Sequence, residues 1–469
     1  MKTARFLIIR SRAAFFIIQN GKREKYSQNT RNDKKVQVFL SRCGMIRAEK
    51  IRFGRQKFMI TAADREILRA LAQRQLEAHH SPKNQERMAL WKRHNACQGE
   101  RPIVHIEMDT FEQEIIPPLL RCEGETARQL ETALYRNFLN LTLLDDDWVV
   151  PDYFPVVWRT WFHPLGHEIT RTFAGGDSHS LGHQFNYVIT DLEEDWEQVQ
   201  PSRFGVDRAA TQAYFDAAQE AFGDILPPKF TMGCLYSVPT QDVVHLMGME
   251  NMCFAMYDYP ELFHQMMDKL TDDYLAYFKF MKDEGILHTT TGFEMVGQGT
   301  LSFTDELPAD EAKGNGDVWG FMDSQETVSI SPDMYGEFIF PYYRKVASTY
   351  GLLSYGCCEP VNPVWDYVKQ LGNLRKVSCS PWCDEAFMAE QLRGTKTIFH
   401  RKPSPNFLGV GETLDEEGFR QHIRHTLTTA AGCHLEITQR DVYTINNDIA
   451  KAQRYVAIIR EEIENHWKP

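Results

Sequence analysis

The runs LLSYGC (352–357), LRKVSC (374–379), KTIFH (396–400) and CHLEIT (433–438) decide the fold of this chain. Each run is short and rich in strand-forming residues, and each is followed by a segment with helical features. Strand and helix therefore alternate four times within about 115 residues. This alternation predicts parallel strands joined by right-handed crossover helices.

Helix signals lie at the expected places between and around these runs. Asn362-Pro363 is a helix start, a second helix is predicted over 384–394, and Thr413-x-x-Glu416 is a capping box. An amphipathic helix is predicted after the last run, from about Ile449. Upstream, 260–285 has the apolar spacing of a long helix.

Four further strands are predicted upstream, at 102–108, 230–236, 287–295 and 318–322. Eight strands with intervening helices predict an α/β fold, a (β/α)8 TIM-type barrel with an N-terminal helical extension and insertions. A doubly wound sheet is the rival. It is disfavoured because no GxGxxG fingerprint follows an early strand, and GNGDVWG at 314–320 has the wrong spacing.

Charge separates the first 58 residues from the rest of the chain. Residues 1–58 hold 16 Lys/Arg and three acids, whereas the remaining 411 residues hold 36 basic and 61 acidic groups. We expect 1–58 to be a basic leader that is dispensable or outside the fold, with a transit peptide as the alternative. We expect 59–469 to form a single barrel domain.

The composition of residues 59–469 and of the whole chain limits the partners and the location that we expect. A net charge of −25 after residue 58 repels phosphate backbones, so nucleic-acid binding is not expected. No stretch has the roughly 18 to 20 apolar residues of a membrane span. The ten cysteines come without a secretion signal, which favours thiols or metal ligands in a cytoplasmic protein.

Metal-ligating residues cluster where the predicted strands end. Three successive strands end in Cys357-Cys358-Glu359, in Cys379 and in His400. Because the active sites of such barrels lie at the carboxyl ends of the strands, these side chains are candidates for one shared site. Thiolate, imidazole and carboxylate form the ligand set that zinc prefers. The alternative is that each cysteine is a small buried apolar residue.

Carboxylates follow several other strands. Glu107 and Asp109 end the first strand, Glu294 the 287–295 strand and Asp323 the 318–322 strand. Glu107, Glu294 and Asp323 are the candidate acids and bases, with N-capping or solvated loop charge as the alternative.

A second polar cluster lies in a glycine-rich segment. It contains His163, His167, Asp177, His179 and His183, but no recognisable metal-ligand spacing such as HExxH. Its Asp177-x-His179-x-x-Gly182 spacing matches a cobalamin-binding motif, but the further elements of a corrinoid domain are missing. We therefore expect a polar loop here.

The residues from 229 to 465 resemble the uroporphyrinogen decarboxylase superfamily. This superfamily contains the decarboxylase itself and zinc- and cobamide-dependent methyltransferases, so the resemblance implies the barrel fold and one of these reactions. The similarity is carried by Phe230-Thr-Met-Gly, Pro260-Glu-Leu-Phe, Phe321-Met-Asp, Ser331-Pro, Phe340-Pro-Tyr-Tyr and the cysteine-bearing strand at 357.

Two departures narrow the choice within that superfamily. The arginine motif by which the decarboxylase holds its tetrapyrrole has no counterpart in 102–109. The methyltransferases' His-x-Cys pair is replaced by Tyr355-Gly-Cys357, and their later cysteine by Gln439-Arg440-Asp441. The resemblance therefore implies a methyltransferase of the ether-cleaving kind, with zinc ligands moved to Cys358, Glu359, Cys379 and His400.

The reaction implied is transfer of a methyl group from a small methylated compound to a corrinoid protein. Zinc would activate the leaving heteroatom as a Lewis acid, and a carboxylic acid would supply a proton. Trp319, Tyr355 and Trp382 are candidates to bind a methoxylated aromatic, or else core residues. The oligomeric state is left open, and a homodimer is one alternative. The alternatives are decarboxylation of a different carboxylic acid and a non-catalytic ligand-binding barrel.

Overall fold

The computed structural model describes residues 60–174 and 182–468, together with the backbone of three strands before them. The chain divides into two compact units, Met1–Met59 and Ile60–Pro469. In the first unit the strands Leu7–Arg10, Ala14–Gln19 and Lys22–Ser27 form an antiparallel sheet in that order. The motif residues Asp177 and His179 lie outside the described residues.

The second unit contains thirteen strands among its described residues. In chain order they are β1 (Ile103–Ile106), β2 (Phe154–Val157), β3 (Thr160–His163), β4 (Arg171–Phe173), β5 (His183–Phe185), β6 (Arg203–Val206), β7 (Pro228–Thr231), β8 (Leu235–Ser237), β9 (Trp319–Met322), β10 (Leu352–Tyr355), β11 (Leu374–Cys379), β12 (Ile398–Arg401) and β13 (Leu435–Gln439).

Seven of these strands form one parallel sheet in the order β8-β9-β10-β11-β12-β13-β1. The last strand pairs with the first, as Glu436 with Ile103 and Gln439 with Ile106. Strands β2 and β7 form a separate parallel pair, while β3 with β6 and β4 with β5 are antiparallel. Among the described residues the seven-stranded sheet is not closed on itself, so the structure establishes a mixed α/β fold with a parallel sheet.

The helices cover the sheet and form the insertions. They are α1 (Ala62–His80), α2 (Pro82–Asn95), α3 (Glu125–Leu139), α4 (Arg208–Phe222), α5 (Pro239–Met247), α6 (Met249–Asp258), α7 (Pro260–Asp283), α8 (Pro332–Phe338), α9 (Phe340–Ala347), α10 (Trp365–Val368), α11 (Glu385–Leu392), α12 (Asn406–Gly409), α13 (Glu416–Thr429) and α14 (Ile449–His466). In the described part of the chain, no helix is long and apolar enough to cross a membrane.

Two local predictions needed correction. Helix α13 does begin at Glu416, but its N-cap is Asp415, whose side chain accepts from Gly418 N at 3.0 Å, so the capping box at Thr413 is wrong. The strand predicted over 287–295 is a loop that ends in a tight hairpin with a single bridge between Met295 and Leu301. Threonines favour strands locally, but the tertiary contacts of this loop prevail.

Polar side chains of neighbouring strands contact each other on one face of the parallel sheet. The Lys376 ammonium on β11 lies 2.9 Å from the Glu436 carboxylate on β13, and both are fully buried. On the neighbouring β12, His400 Nε2 lies 2.8 Å from the Thr438 hydroxyl. This face of the sheet is therefore held by ion pairs and hydrogen bonds as well as by apolar contacts.

Candidate active site

Four strands of the parallel sheet place polar side chains at one edge. Strand β9 is followed by Asp323, β10 by Cys357-Cys358-Glu359, β12 by Lys402 and β13 by Arg440. Parallel strands end on the same side of their sheet, which brings these side chains together. The strand-end cluster is defined here as Asp323, Cys357, Cys358, Glu359, Lys402 and Arg440.

Two adjacent thiols form the centre of the strand-end cluster. Cys357 Sγ lies 3.5 Å from Cys358 Sγ, and Cys358 Sγ lies 3.3 Å from an Asp441 carboxylate oxygen. The hydrogen bond between the thiols raises the pKa of Cys357 and lowers the pKa of Cys358. Cys358 is therefore the more readily ionised of the two thiols.

Asp323 is the buried acid of the strand-end cluster. Its side chain is 1% exposed, and neither carboxylate oxygen has a hydrogen-bond partner among the described residues. Burial, and then the nearby charge of Glu359, raises the pKa of Asp323 well above its ordinary value. A carboxyl group in this state keeps its proton to a higher pH than an ordinary aspartic acid and can donate it.

Glu359 has a different task, although it is equally buried. One of its oxygens accepts from Ser324 N at 3.0 Å and the other from Cys357 N at 2.8 Å. Its carboxylate thus joins the chain after β9 to the chain after β10. Glu359 holds the strand-end cluster in place with both oxygens already engaged.

Two cations balance the acids and thiols. The buried Lys402 ammonium donates to the Cys357 carbonyl at 3.2 Å, and burial lowers the pKa of Lys402. The Arg440 guanidinium lies 3.2 Å from a Glu107 oxygen and 3.8 Å from Cys357 Sγ. These positive groups favour thiolate at the two cysteines and suit an anionic group of a ligand.

A hairpin reaches the thiols from the sheet's polar face. The side-chain oxygen of Gln298 lies 3.1 Å from Cys357 Sγ and 3.3 Å from Lys402 Nζ. Gly297, Gln298 and Gly299 all have left-handed backbone angles, with φ of 57°, 50° and 76°. The sequence motifs predicted no role for Gln298 or Lys402. For Lys402, its position directly after a strand was an available signal; for Gln298 there was none.

The structure brings together only part of the predicted zinc set. Cys358 and Glu359 lie in the strand-end cluster, whereas His400 is bonded to Thr438, and burial lowers its pKa to about 3. Cys379 is buried on the face of β11 opposite to Ser378, because side chains alternate along a strand, and it contacts the Val377 carbonyl.

These four residues as placed do not fit a zinc ion. Within residues 60–174 and 182–468, no three His, Cys, Asp or Glu side chains are arranged to hold a metal.

The other predicted site residues are dispersed. Glu107 pairs with Arg440 at the edge of the strand-end cluster, and Glu294 lies in a separate cavity. Trp319 and Tyr355 are completely buried, with Trp319 Nε1 donating to the Ser302 carbonyl, while Trp382 is 71% exposed.

The described histidines of the second polar cluster also lie apart from the thiols. His167 Nε2 is 2.7 Å from the Gln198 carbonyl, His163 packs on Trp161, and His183 on Phe173 and Phe185.

Comparison with known proteins leaves the family open. No protein-family model and no curated protein matches the chain. Among solved structures the chain is similar to a methyltransferase from Methanosarcina mazei, with 15% sequence identity, a TM-score of 0.46 and coverage of 80% of this chain and 98% of that chain. So distant a likeness assigns no activity, and the function must be inferred from the strand-end cluster.

Proposed function

We propose that this protein is a methyltransferase that moves a methyl group from a small methylated compound to a corrinoid protein. The observation that carries the proposal is Asp323, a buried acid with two unpartnered oxygens among the described residues, beside the ionisable thiol pair. Methyl ethers have poor leaving groups, and an acid whose pKa is raised by burial can protonate the departing oxygen.

The remaining residues would position the substrate around that acid. Lys402 and Arg440 would hold an anionic or polar part of the substrate, and Gln298 would fix the thiol pair. The corrinoid would supply the nucleophilic cobalt that accepts the methyl group. Exposed apolar side chains at the same edge, Trp382 after β11, Val410 after β12 and Tyr443 after β13, suit contact with its carrier protein.

No step is assigned to zinc, because Cys358, Glu359, Cys379 and His400 do not converge. Asp323 would instead stabilise the leaving group as a proton donor, which is the role predicted for a zinc ion as Lewis acid. Glu107 is then a partner of Arg440 rather than the acid, and Glu294 belongs to the separate cavity.

For the fold, we propose the (β/α)8 barrel of the uroporphyrinogen decarboxylase superfamily. We also propose that the protein is cytoplasmic. Only Met232–Cys234 separate β7 from β8, and β2 pairs with β7. Counting β7 and β8 as one interrupted strand makes eight, in the order of a (β/α)8 barrel that is open between β1 and β2.

Methyl transfer can be tested by following methylcobalamin formation from reduced cobalamin. The donors are methoxybenzenes and tetramethylammonium, with wild type, Asp323→Asn and Asp242→Asn compared. Asp242 is also a buried carboxyl with a raised pKa, of about 7, but it pairs with Tyr274. We expect Asp323→Asn to slow ether cleavage by about a hundredfold and Asp242→Asn to leave the rate nearly unchanged.

The pH profile supplies an independent reading. Because the protonated form of Asp323 is the acid, the rate should be full at low pH and fall as pH rises through its raised pKa. Absence of methyl transfer from every donor, or an unchanged rate in Asp323→Asn, would contradict the proposal.

Decarboxylation is the second candidate, because Lys402 and Arg440 place two cations beside an acid. They would hold a substrate carboxylate, and Asp323 would protonate the carbon after CO2 leaves. Release of CO2 from a small carboxylic acid, lost in Lys402→Met, would favour this reaction over methyl transfer.

A further inference from the structure

A cavity of about 210 Å³ lies beside the hairpin, away from the strand-end cluster. Val157 and Thr231, the last residues of β2 and β7, line one side of it. The described residues that line it include no member of the strand-end cluster. This space is therefore a second candidate site, at the carboxyl ends of a different pair of strands.

Aromatic rings form much of the cavity wall. Trp148, Tyr153 and Phe293 line it and are half-buried. The Tyr153 and Phe293 rings meet edge to face, with centroids 5.8 Å apart. Trp148 is held in place by stacking on His105, at 4.8 Å between centroids. The face of an aromatic ring is electron-rich and attracts a cation.

One carboxylate lies among these rings. Glu294 Oε2 accepts from Gly292 N at 2.9 Å and from the Ser302 hydroxyl at 3.0 Å, which fixes its position. Burial, and then the charge of Glu294, raises the pKa of the neighbouring Tyr153, so the carboxylate and the phenol lie close together.

The other charges around the cavity are largely balanced. The His105 ring, behind Trp148, is 2.7 Å from the Asp146 carboxylate. The Lys229 ammonium lies 4.9 Å from the Tyr153 ring centroid, and Asp152 is adjacent to Tyr153 in the chain. Around Tyr153 the two carboxylates of Glu294 and Asp152 outnumber the single ammonium of Lys229, which leaves a net negative charge.

We propose that this cavity binds a small organic cation of the methylated-ammonium class. Aromatic faces and a single carboxylate attract a cation that is too apolar on its outside to prefer water. The volume exceeds the roughly 150 Å³ known to admit benzene, so a trimethylammonium group has room. This inference does not depend on methyl transfer at the strand-end cluster.

Calorimetric titration of the full chain with choline chloride tests the proposal directly. The control ligand is 3,3-dimethyl-1-butanol, which has the same shape without the charge, at matched ionic strength. We expect saturable choline binding and at least about tenfold weaker binding of the alcohol. Equal affinity for the two ligands, or no choline binding, overturns the proposal.

Variants locate the binding to this cavity. Glu294→Gln keeps the shape and removes the charge, and we expect choline affinity to fall about tenfold. The matched control is Glu311→Gln, an exposed carboxylate that does not line the cavity, which should change the affinity less than threefold. Phe293→Leu is the second variant should Glu294→Gln not fold, and we expect it also to weaken binding. Wild-type affinity in a folded Glu294→Gln or Phe293→Leu protein overturns the proposal.

Discussion

Cys357 and Cys358 are neighbours in the chain, yet their thiols respond to the fold in opposite ways. Cys357 shares its proton with Cys358, so one thiol is held protonated and the other becomes more acidic. The clustering of cysteines near 357 predicted that chemistry would lie here. It did not distinguish the two thiols, because the direction of a hydrogen bond depends on side-chain placement.

This difference predicts how the thiols react with iodoacetamide. Since the pKa of Cys358 is lowered, its alkylation rate should rise at lower pH than that of an ordinary thiol. Cys357→Ala removes the hydrogen bond, so the midpoint of the pH–rate curve of Cys358 should move up. Mass spectrometry of the labelled peptide measures both rates.

The control for this experiment is Cys379→Ala, since Cys379 is buried on the face of β11 opposite to Ser378 and does not contact the Cys357–Cys358 pair in the described structure. It should leave the Cys358 midpoint unchanged. An identical midpoint in wild type and Cys357→Ala would show that the hydrogen bond does not set the reactivity.

The loop between α7 and β9 is the element whose structure the local sequence predicted least well. Its threonines predicted a strand, but its tip is closed by three consecutive left-handed residues. A Cβ on Gly299 would lie 2.8 Å from Thr438 Cγ2, and one on Gly297 would lie 2.5 Å from Phe321. Both glycines are needed for conformation and for space.

Gly299→Ala should therefore destabilise the protein by about 2 kcal/mol, from left-handed strain and the clash with Thr438. Urea unfolding measures the change in free energy. The control is Gly314→Ala, since Gly314 has an extended backbone and nothing within 4 Å of its Cβ position. A change for Gly299→Ala no larger than the control's would contradict this account of the hairpin.

At the scale of the whole molecule, one buried ion pair joins distant parts of the second unit. Glu436 on β13 binds the Lys376 ammonium on β11 and lies 3.3 Å from His94 on α2. The Lys376 ammonium also lies 5.1 Å from the Trp91 ring centroid. Residues that are 60 positions apart in the chain are thus paired out of contact with water.

Removing one partner of this pair should be costly. Lys376→Met leaves the Glu436 carboxylate buried without its ammonium, and we expect a loss of about 3–5 kcal/mol in unfolding free energy. The double variant Lys376→Met/Glu436→Leu should lose less than Lys376→Met alone, as both charges are gone. Chemical denaturation of both proteins measures these losses in unfolding free energy. A loss below about 1 kcal/mol in the single variant would contradict a stabilising role for the ion pair.

The sequence alone determined the positions of six strands of the parallel sheet, β1 and β9 to β13, together with the long helices and the edge at which the polar residues gather. The reason is that strand and helix periodicity is local, as β11 at 374–379 and α7 from Pro260 show. Tertiary structure decided which of those residues meet. Cys379 ends its strand and His400 is the last residue but one of its strand, but side-chain alternation and register direct both away from Cys358. Lys402 follows its strand directly, whereas Gln298 comes from a loop that carried no signal of contact.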